Sequence, residues 1–305
     1  MKHWMTYPII THPVSPDLLT KSSLTRIAVA AEDAGFDGFG FTDHPAPSHK
    51  WLMAGGHDAL DPFVALSFVA AATDRLKLIP NIVVLPYRNP FVVAKTVATI
   101  DAITPARFVL SVATGYLRSE YRAVGVEYDN RNALFDEAIE VVKGVWANDD
   151  FAFTGSTFTA SGVSANPKPA PGHVPIWIGG NSALTRRRVA QYGDGWNPFP
   201  APAVLAKTSK TPVLEGLDDL APMLGHLWGE IEAAGRDRAA IDVAFGTQLP
   251  GPGSPGFNAA LEIDALARMD SLGVTWNGVS LPGDSVDHII EAIDQYGREV
   301  IAPFN

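Results

Sequence analysis

The sequence has no cysteine among its 305 residues, which excludes disulfides, thiolate catalysis and cysteine-ligated metals. It also has no uncharged apolar run of about 18 residues, so no membrane span is expected. Lys and Arg number 23 against 33 Asp and Glu, a net charge of −10. Without a basic run, nucleic acid is not an expected partner. The first residues lack the apolar core of a signal peptide, so we expect a cytoplasmic protein.

Several catalytic patterns are missing as well. There is no Gly-x-Ser-x-Gly nucleophile motif, and no Gly-x-Gly-x-x-Gly follows an early strand. The histidines show no i,i+4 pairing with a carboxylate or another histidine of the kind that binds metal ions, so no metal site is expected.

Short apolar segments alternate with helical patterns along the whole chain, which is 47% hydrophobic. Eight strands, each followed by a helix, predict an α/β fold of the (β/α)8 TIM barrel type, with residues 1–305 as one domain. A doubly wound open sheet is the alternative. The candidate strands are residues 7–10, 38–41, 76–84, 108–112, 176–178, 195–197, 243–245 and 275–279. The candidate helices are residues 16–34, 62–72, 90–103, 118–147, 182–192, 217–234, 259–271 and 285–296.

Two segments interrupt this alternation and are interpreted as insertions. Residues 150–163, at the start of an insertion over 150–175, alternate with period two around Gly155, which predicts a hairpin. Residues 198–256 contain a run rich in proline and glycine at 249–256, which is either a surface loop or a lid over a site. The nearly continuous apolar pattern of the helix at 90–103 favours packing on both sides, in the outer ring of a barrel and in a homodimer.

Polar residues follow several of the predicted strands, at the edge where barrel enzymes carry their chemistry. His44 is the best catalytic candidate, because imidazole exchanges a proton near neutral pH, although a structural histidine is the alternative. Asp43 either orients His44, binds a ring or caps the loop. Asn81 lies in an apolar strand, where its amide needs a partner from a ligand or a neighbouring strand. Thr114 and Gly115 either bring backbone N–H groups to a ligand or form a simple turn.

Charged residues on two predicted helices are ambiguous. Arg118 and Glu120 lie in the first turn of a helix, where an arginine opposes the helix dipole, so a ligand or interface role is favoured for Arg118. The three arginines at 186–188 lie further along their helix and are expected at the surface or in an interface.

The turn at residues 179–182 is the most informative local pattern. A short apolar strand ends in Gly179 and Gly180, and Asn181 and Ser182 then open a helix. Adjacent glycines let the backbone approach a ligand, and the free N–H groups of a helix N-terminus suit a phosphate. A plain turn with an N-cap is the alternative.

Taken together, these residues resemble the luciferase-like monooxygenase superfamily, and more narrowly its oxidoreductases that use the deazaflavin coenzyme F420. The match covers about residues 28–200, with weaker similarity in the last two helices. The matching pieces are Ala-Glu-Asp-Ala-Gly-Phe-Asp at 31–37, Thr-Asp-His at 42–44, Ala-Thr-Asp-Arg-Leu-Lys-Leu at 72–78, Leu-Pro-Tyr-Arg-Asn-Pro at 85–90, Ala-Lys-Thr-Val-Ala-Thr-Ile-Asp at 94–101, Gly-Tyr-Leu-Arg-Ser-Glu-Tyr at 115–121 and the stretch 175–196.

The resemblance implies a bacterial luciferase-like barrel, commonly dimeric, with a flavin-type ring at the strand ends. It implies a non-prolyl cis peptide at Asn81–Ile82 and His44 near the reactive carbon, with Tyr116 as an assisting donor. The cofactor-binding residues that it implies are Asp43, Asn81, Ile82, Thr114, Gly115, Gly179, Gly180, Asn181 and Ser182.

The sequence departs from the sugar-phosphate dehydrogenases of this superfamily, which have a tryptophan and a glutamate where this chain has Ser48 and Tyr116. Glucose 6-phosphate is therefore not the expected substrate. The first hypothesis is an F420-dependent oxidoreductase that transfers a hydride to or from a small organic substrate. The second is an FMN-dependent monooxygenase that uses reduced FMN and oxygen, and the third is a flavin-binding barrel without catalysis.

Overall fold

The computed structural model of the chain describes residues 1–304 and is built from alternating strands and helices. The strands are β1 Lys2–Thr6, β2 Gly38–Gly40, β3 Lys77–Leu78, β4 Val83–Val84, β5 Leu110–Ala113, β6 Phe151–Thr154, β7 Thr159–Val163, β8 Ile176–Gly179, β9 Gly195–Asn197, β10 Asp242–Phe245 and β11 Trp276–Val279. The α-helices are α1 Lys21–Asp33, α2 His49–Met53, α3 Pro62–Ala72, α4 Pro90–Ile103, α5 Arg118–Ala123, α6 Arg131–Ala147, α7 Ala183–Tyr192, α8 Ala203–Ser209, α9 Leu217–Ala233, α10 Ala259–Leu272, α11 Val286–Tyr296 and α12 Ala302–Phe304.

Nine of the strands form one parallel sheet in the order β3-β2-β1-β11-β10-β9-β8-β5-β4. Its two ends, β3 and β4, are separated along the chain only by residues 79–82. Leu78 also pairs with Phe108 just before β5, where the Val109 N–H donates to the Leu78 carbonyl at 3.0 Å. β3 and β4 are thus two halves of one strand, and the sheet curls into an eight-stranded barrel. The barrel prediction is confirmed, and the open doubly wound alternative is wrong.

The predicted third strand at 76–84 is interrupted between its halves. The Asn81–Ile82 peptide bond in this interruption is cis, as the resemblance implies. The Asn81 N–H still donates to the Phe41 carbonyl at 2.7 Å, so the interrupted segment stays beside β2.

The prediction of a first strand at 7–10 is wrong, because β1 ends at Thr6. The chain turns immediately afterwards, where the Ile9 N–H donates to the Tyr7 carbonyl at 2.8 Å. Pro8 has no N–H to continue a ladder. Tyr7, Pro8 and Ile9 are buried in a loop and not in a strand, whereas Ile10 is exposed.

The predicted helix at 118–147 is two helices, α5 and α6. Gly125 lies between them with φ +76°, a conformation in which glycine has no steric penalty. A single 3₁₀ turn at Tyr128–Asn130 then leads into α6. Apolar residues continue at helical spacing through both helices, so the sequence did not reveal the turn between them. The short α5 places Glu120 at the open end of the barrel.

The two interrupting segments have defined structures. β6 and β7 form an antiparallel hairpin, whose turn is held by Glu137 through the N–H groups of Ser156, Thr157 and Phe158. The region 198–256 holds α8, α9 and β10, and the Ala201–Leu214 pair closes a loop around α8. The proline- and glycine-rich run is bound to α11, where Gly253 N–H donates to Gln295 Oε1 at 3.1 Å.

The lower interior of the barrel is filled by three tryptophans. The Trp177 ring lies edge-on to those of Trp276 and Trp4, with centroids 5.3 and 6.5 Å away. Glycines on neighbouring strands leave the space, because a Cβ at Gly38 or Gly278 would come within 3.1 Å of these rings. This aromatic layer closes the barrel interior, so a ligand must enter from the carboxyl ends of the strands. No helix in the part of the chain described is long and apolar enough to cross a membrane.

Candidate active site

A cavity of about 470 Å³ lies at the carboxyl ends of the barrel strands. It is lined by the loops after β2, β5, β8 and β9 and by the interruption between β3 and β4. All eleven residues expected from the sequence line it: Asp43, His44, Asn81, Ile82, Thr114, Gly115, Tyr116, Gly179, Gly180, Asn181 and Ser182. None of residues 249–256 does, whereas Ser209, Lys210 and Thr211 form part of its wall.

His44 is held by a buried carboxylate. Its Nδ1 lies 3.2 Å from Oε2 of Glu120, which is only 1% exposed. The other oxygen of Glu120 accepts the Ala46 N–H at 3.3 Å. A carboxylate only accepts, so the His44 proton sits on Nδ1 and Nε2 is left for a ligand. No partner of Nε2 occurs among residues 1–304, and solvent still reaches the atom.

Two tyrosines border the same carboxylate. The Tyr87 hydroxyl donates to Oε2 of Glu120 at 3.2 Å, and burial followed by the Glu120 charge raises the pKa of Tyr87. Burial, reinforced by Glu120, also raises the pKa of Tyr116, whose ring is 6.4 Å from that of His44. Both phenols are therefore hydrogen-bond donors at neutral pH and not bases.

Asp43 fixes the strand interruption. One of its oxygens accepts the Val84 N–H at 2.9 Å and the other accepts Arg88 Nη2 at 2.9 Å. Burial raises the pKa of Asp43 to about 6, and the Arg88 charge opposes this rise. Of the roles left open by the sequence, the geometry favours holding the loop, because both oxygens already have protein donors.

A layer of amides forms the floor of the cavity. Asn197 Nδ2 lies 3.2 Å from both Asn81 Oδ1 and Ser111 Oγ, and Asn81 Nδ2 donates to Thr6 Oγ1 at 3.0 Å. The partners of the Asn81 amide are thus side chains of β1 and β9, which are not adjacent in the sheet to the segment that carries Asn81. Beside this layer the Ile82 side chain fills the space over Gly179, where a Cβ would overlap it.

The Gly-Gly-Asn-Ser turn forms the opposite end of the cavity. Gly180 has φ +113°, and the Ser182 hydroxyl caps α7 by accepting the Thr185 N–H at 3.1 Å. The Asn181 side chain is fully buried and binds the backbone of Phe199 through both its nitrogen (2.9 Å) and its oxygen (3.0 Å). Asn181 therefore holds the segment at 199–212 against the turn.

Two cations line this end of the cavity. Arg131 and Lys210 both border it, and neither forms an ion pair among residues 1–304. Lys210 ends α8 in the left-handed conformation, with φ +54° and ψ +45°. Arg131 donates to the Tyr128 carbonyl at 3.0 Å and lies over the Tyr128 ring, but no carboxylate among residues 1–304 neutralises either cation. Together with the helix N-terminus, the two cations make this part of the cavity suited to an anion.

The expectation for the arginines at 186–188 is wrong for two of them. Arg186 is 8% exposed and donates to the Asn181 carbonyl at 2.9 Å, while Arg188 is 4% exposed and pairs with Asp136 at 2.7 Å. Residues two apart on a helix do not share a face, so the two side chains are buried against different neighbours, Arg186 against the turn before α7 and Arg188 against α6, while Arg187 is exposed. Arg118 is exposed and pairs with Asp129 at 3.1 Å rather than facing the cavity.

One histidine has a carboxylate partner four residues earlier in the sequence. Asp284 and His288 are four residues apart and hydrogen-bonded to each other at 2.8 Å, which is a side-chain pair and not a set of metal ligands. The pair lies near the surface, far along the chain from the cavity residues. No group of three or more metal-ligating side chains occurs within the described part of the chain.

Four further residues near His44, namely Glu120, Tyr87, Trp51 and His57, were not among the predicted catalytic or cofactor-binding residues. Glu120 and Tyr87 lie in motifs that carry the resemblance, and a barrel register could have placed them at the strand ends. Trp51 and His57 come from the loop after β2, where α2 is too short to leave a periodic signal. Their ring centroids lie 4.6 and 5.2 Å from that of His44.

The family model described as luciferase-like monooxygenase matches residues 9–250. An F420-dependent glucose-6-phosphate dehydrogenase of Nocardia farcinica is 33% identical over 57% of this chain and 52% of its own. An FMNH2-dependent dimethylsulfone monooxygenase of Pseudomonas putida is 31% identical over 55% of this chain and 46% of its own. The chain thus spans about half the length of these relatives. The solved structure of the monooxygenase RslO1 from Streptomyces bottropensis is 16% identical, covers both chains fully and has a TM-score of 0.81, a likeness of fold.

Proposed function

Because the chain belongs to the luciferase-like monooxygenase family of flavin- or F420-dependent enzymes, we propose that it is an F420-dependent oxidoreductase acting on a small organic substrate. The observation that carries this proposal is the position of His44. Its Nε2 is open, its Nδ1 is held by the buried Glu120, and it shares one cavity with the anion-suited turn at 179–182. The similarity to an F420-dependent dehydrogenase supports the choice of cofactor.

The residues of the cavity fit such a cofactor. Gly179 and Gly180 leave the wall without Cβ atoms, and a Cβ on Gly115 would meet Val84 at 2.5 Å, so close backbone packing shapes both sides. The amide floor around Asn81 and Ile82 would support the ring. The α7 N-terminus, Arg131 and Lys210 would hold the phosphate.

When bound, the reduced deazaflavin supplies a hydride, and a carbonyl substrate then needs a proton on its oxygen. His44, when protonated on both ring nitrogens, donates that proton from Nε2, and in the reverse direction its open Nε2 accepts the proton from an alcohol. Glu120 fixes the tautomer and stabilises the imidazolium that forms. Tyr116 supplies a hydrogen bond to the same oxygen as a neutral donor.

The charge distribution favours an uncharged substrate. The charges that line the cavity near His44 are those of Glu120 and Asp43, both carboxylates, and Asp43 is neutralised by Arg88. The cations Arg131 and Lys210 lie at the other end. A carboxylate or phosphate on the substrate would face Glu120 without a cation, so secondary alcohols and ketones are the class that we propose.

Anaerobic titration of F420 with the protein tests this function. We expect a change in F420 absorbance and fluorescence at micromolar protein, and reduction of F420 by 2-propanol or cyclohexanol. L-lactate, an anionic analogue of 2-propanol, should be turned over far more slowly. An unchanged F420 spectrum at micromolar protein would remove the proposal.

A second candidate function is a monooxygenase that uses reduced FMN and oxygen. It is supported by the similarity to the FMNH2-dependent relative, and the anion-suited end accommodates the phosphate of either cofactor. Titration with FMN beside F420 separates the two functions. Preferential binding of FMN, with substrate-dependent oxygen consumption when reduced FMN is supplied, would favour the monooxygenase.

A further inference from the structure

Two aromatic side chains from the loop after β2 lie against His44. Trp51 lies tilted against the His44 ring at 4.6 Å, and His57 lies edge-on to it at 5.2 Å with an interplanar angle of 79°. Trp51 and His57 also contact each other, with centroids 5.5 Å apart. His57 is therefore a second imidazole in direct ring contact with the candidate proton donor.

The hydrogen bond of His57 defines its tautomer. Its Nδ1 lies 2.7 Å from the Asp58 carbonyl oxygen, which can only accept, so Nδ1 carries the proton. The Nε2 atom has no partner among residues 1–304 and still contacts solvent. In the neutral ring this exposed Nε2 holds the lone pair.

The charges that face His57 come from three directions. They are His44 across the ring contact, Asp58 on its own loop and Glu120 on α5. Asp58 is itself paired with His12 at 2.9 Å. Burial lowers the pKa of His57 and His44 adds to this, against the opposing effects of Asp58 and Glu120. The ring is therefore neutral at pH 7 and offers a base at Nε2.

We propose that His57 relays protons between solvent and His44, a role that rests on the proposed oxidoreductase function. After His44 has given its Nε2 proton to the substrate oxygen, its Nε2 is unprotonated and carries a lone pair. His57 takes a proton from solvent at its own Nε2 and passes it through a water molecule to Nε2 of His44, because neither Nε2 atom has a partner among residues 1–304, and each ring returns to its starting state. The Nδ1 protons stay on the two rings, hydrogen-bonded to Glu120 and to the Asp58 carbonyl. Alcohol oxidation uses the same path in reverse.

The loop offers a matched pair of variants for testing the relay. In His57→Asn the side-chain amide can still donate to the Asp58 carbonyl, but the base at Nε2 is lost. His49→Asn removes an exposed histidine eight residues earlier on the same loop. Equal folding of both variants, checked by thermal unfolding, makes the comparison one of chemistry alone.

The first measurement needs no cofactor. In NMR spectra of the protein with ¹⁵N-labelled histidine, we expect His57 as the neutral Nδ1–H tautomer at pH 7. The His44 signal should show a second inflection in its pH titration that disappears in His57→Asn and persists in His49→Asn. An Nε2–H tautomer for His57, or a His44 titration that is the same in all three proteins, would overturn the relay.

The second measurement follows F420 reduction by cyclohexanol. In His57→Asn the first turnover should keep its rate, whereas steady-state turnover should fall by roughly 10-fold and recover on addition of imidazole as a proton carrier. Unchanged steady-state turnover, or a loss that imidazole does not restore, would contradict the relay. If the wild-type protein bound no F420, the proposed function would fail, and the NMR result would still decide whether the two imidazoles are coupled.

Discussion

His44 and Glu120 are hydrogen-bonded across the mouth of the barrel, with Nδ1 and Oε2 3.2 Å apart and the carboxylate almost fully enclosed. The two residues are 76 positions apart; His44 lies in the loop after β2 and Glu120 on α5, after β5. Tyr87 donates to the same oxygen of Glu120. One buried carboxylate therefore sets the orientation of both the imidazole and a phenol.

Replacing this carboxylate should affect turnover more than binding. Glu120→Gln keeps an acceptor for His44 Nδ1–H but removes the charge that stabilises the imidazolium. We expect kcat to fall by about 10- to 100-fold with little change in KM, measured by F420 reduction with the most active alcohol. Glu127→Gln, an exposed glutamate shortly after α5, is the control. Equal losses in both variants would contradict the assignment.

Lys210, at the end of α8, should contribute its charge to cofactor binding. Lys210→Asn removes the charge while retaining a residue that tolerates φ +54°. We expect the Kd for F420 to rise by roughly fivefold, about 1 kcal/mol, and the effect to shrink at high salt. Lys207→Asn, on the same short helix, should leave Kd unchanged. A salt-independent or equal effect in both variants would argue against contact with an anion.

Gly179 should not tolerate a side chain. A Cβ at this position overlaps Ile82, so Gly179→Ala should displace the cavity floor and lower the free energy of unfolding by about 1–3 kcal/mol. Thermal unfolding and F420 titration measure the two effects. Gly216→Ala, at a glycine without a positive φ and with open space around its Cα, controls for the loss of backbone freedom alone. Cofactor binding equal to wild type in Gly179→Ala would show that the floor is not part of the site.

The stability of the protein should decrease in acid because of His3. This residue is fully buried, and burial, with the N-terminal charge, lowers the pKa of His3 to about 4. Its contribution is complete above pH 6.5, where both states are neutral, and is lost progressively between pH 6.5 and 4, because in this range the unfolded chain binds a proton that the folded chain does not. The loss approaches about 3 kcal/mol. His3→Gln should flatten the urea-unfolding profile between pH 6.5 and 4, and an unchanged profile would contradict this origin.

The homodimer expected from the sequence also remains a proposal. α3 and α4 leave apolar side chains exposed at helical spacing, Val64 (61%) and Phe68 (46%) on one and Val92 (62%) and Ile103 (75%) on the other. We propose that a second copy covers this surface. Phe68→Glu should then give a monomer in light scattering, whereas Val204→Glu, at an 83% exposed valine on α8, should not. A wild-type monomer at micromolar concentration would remove the dimer.

The sequence predicted the barrel because eight apolar segments alternated with helices of strong periodicity. It failed where one residue overrode the pattern. Pro8 could not continue a strand, and Gly125 broke a helix whose apolar faces matched on both sides. The site was predicted where backbone chemistry is local, as at Gly180 and Ser182. The burial of Arg186 and the pairing of Trp51 with His44 depend on tertiary contacts that no spacing reveals.

Asn181 belongs to two parts of the molecule at once, with its backbone in the phosphate-suited turn and its side chain bound to the segment at 199–212. Anything that orders the turn therefore also orders that segment, and by thermodynamic reciprocity a mutation that loosens the segment must weaken binding at the turn. Because the Asn181 side chain links the two, binding in the cavity and resistance of the α8 loop to proteolysis should rise and fall together.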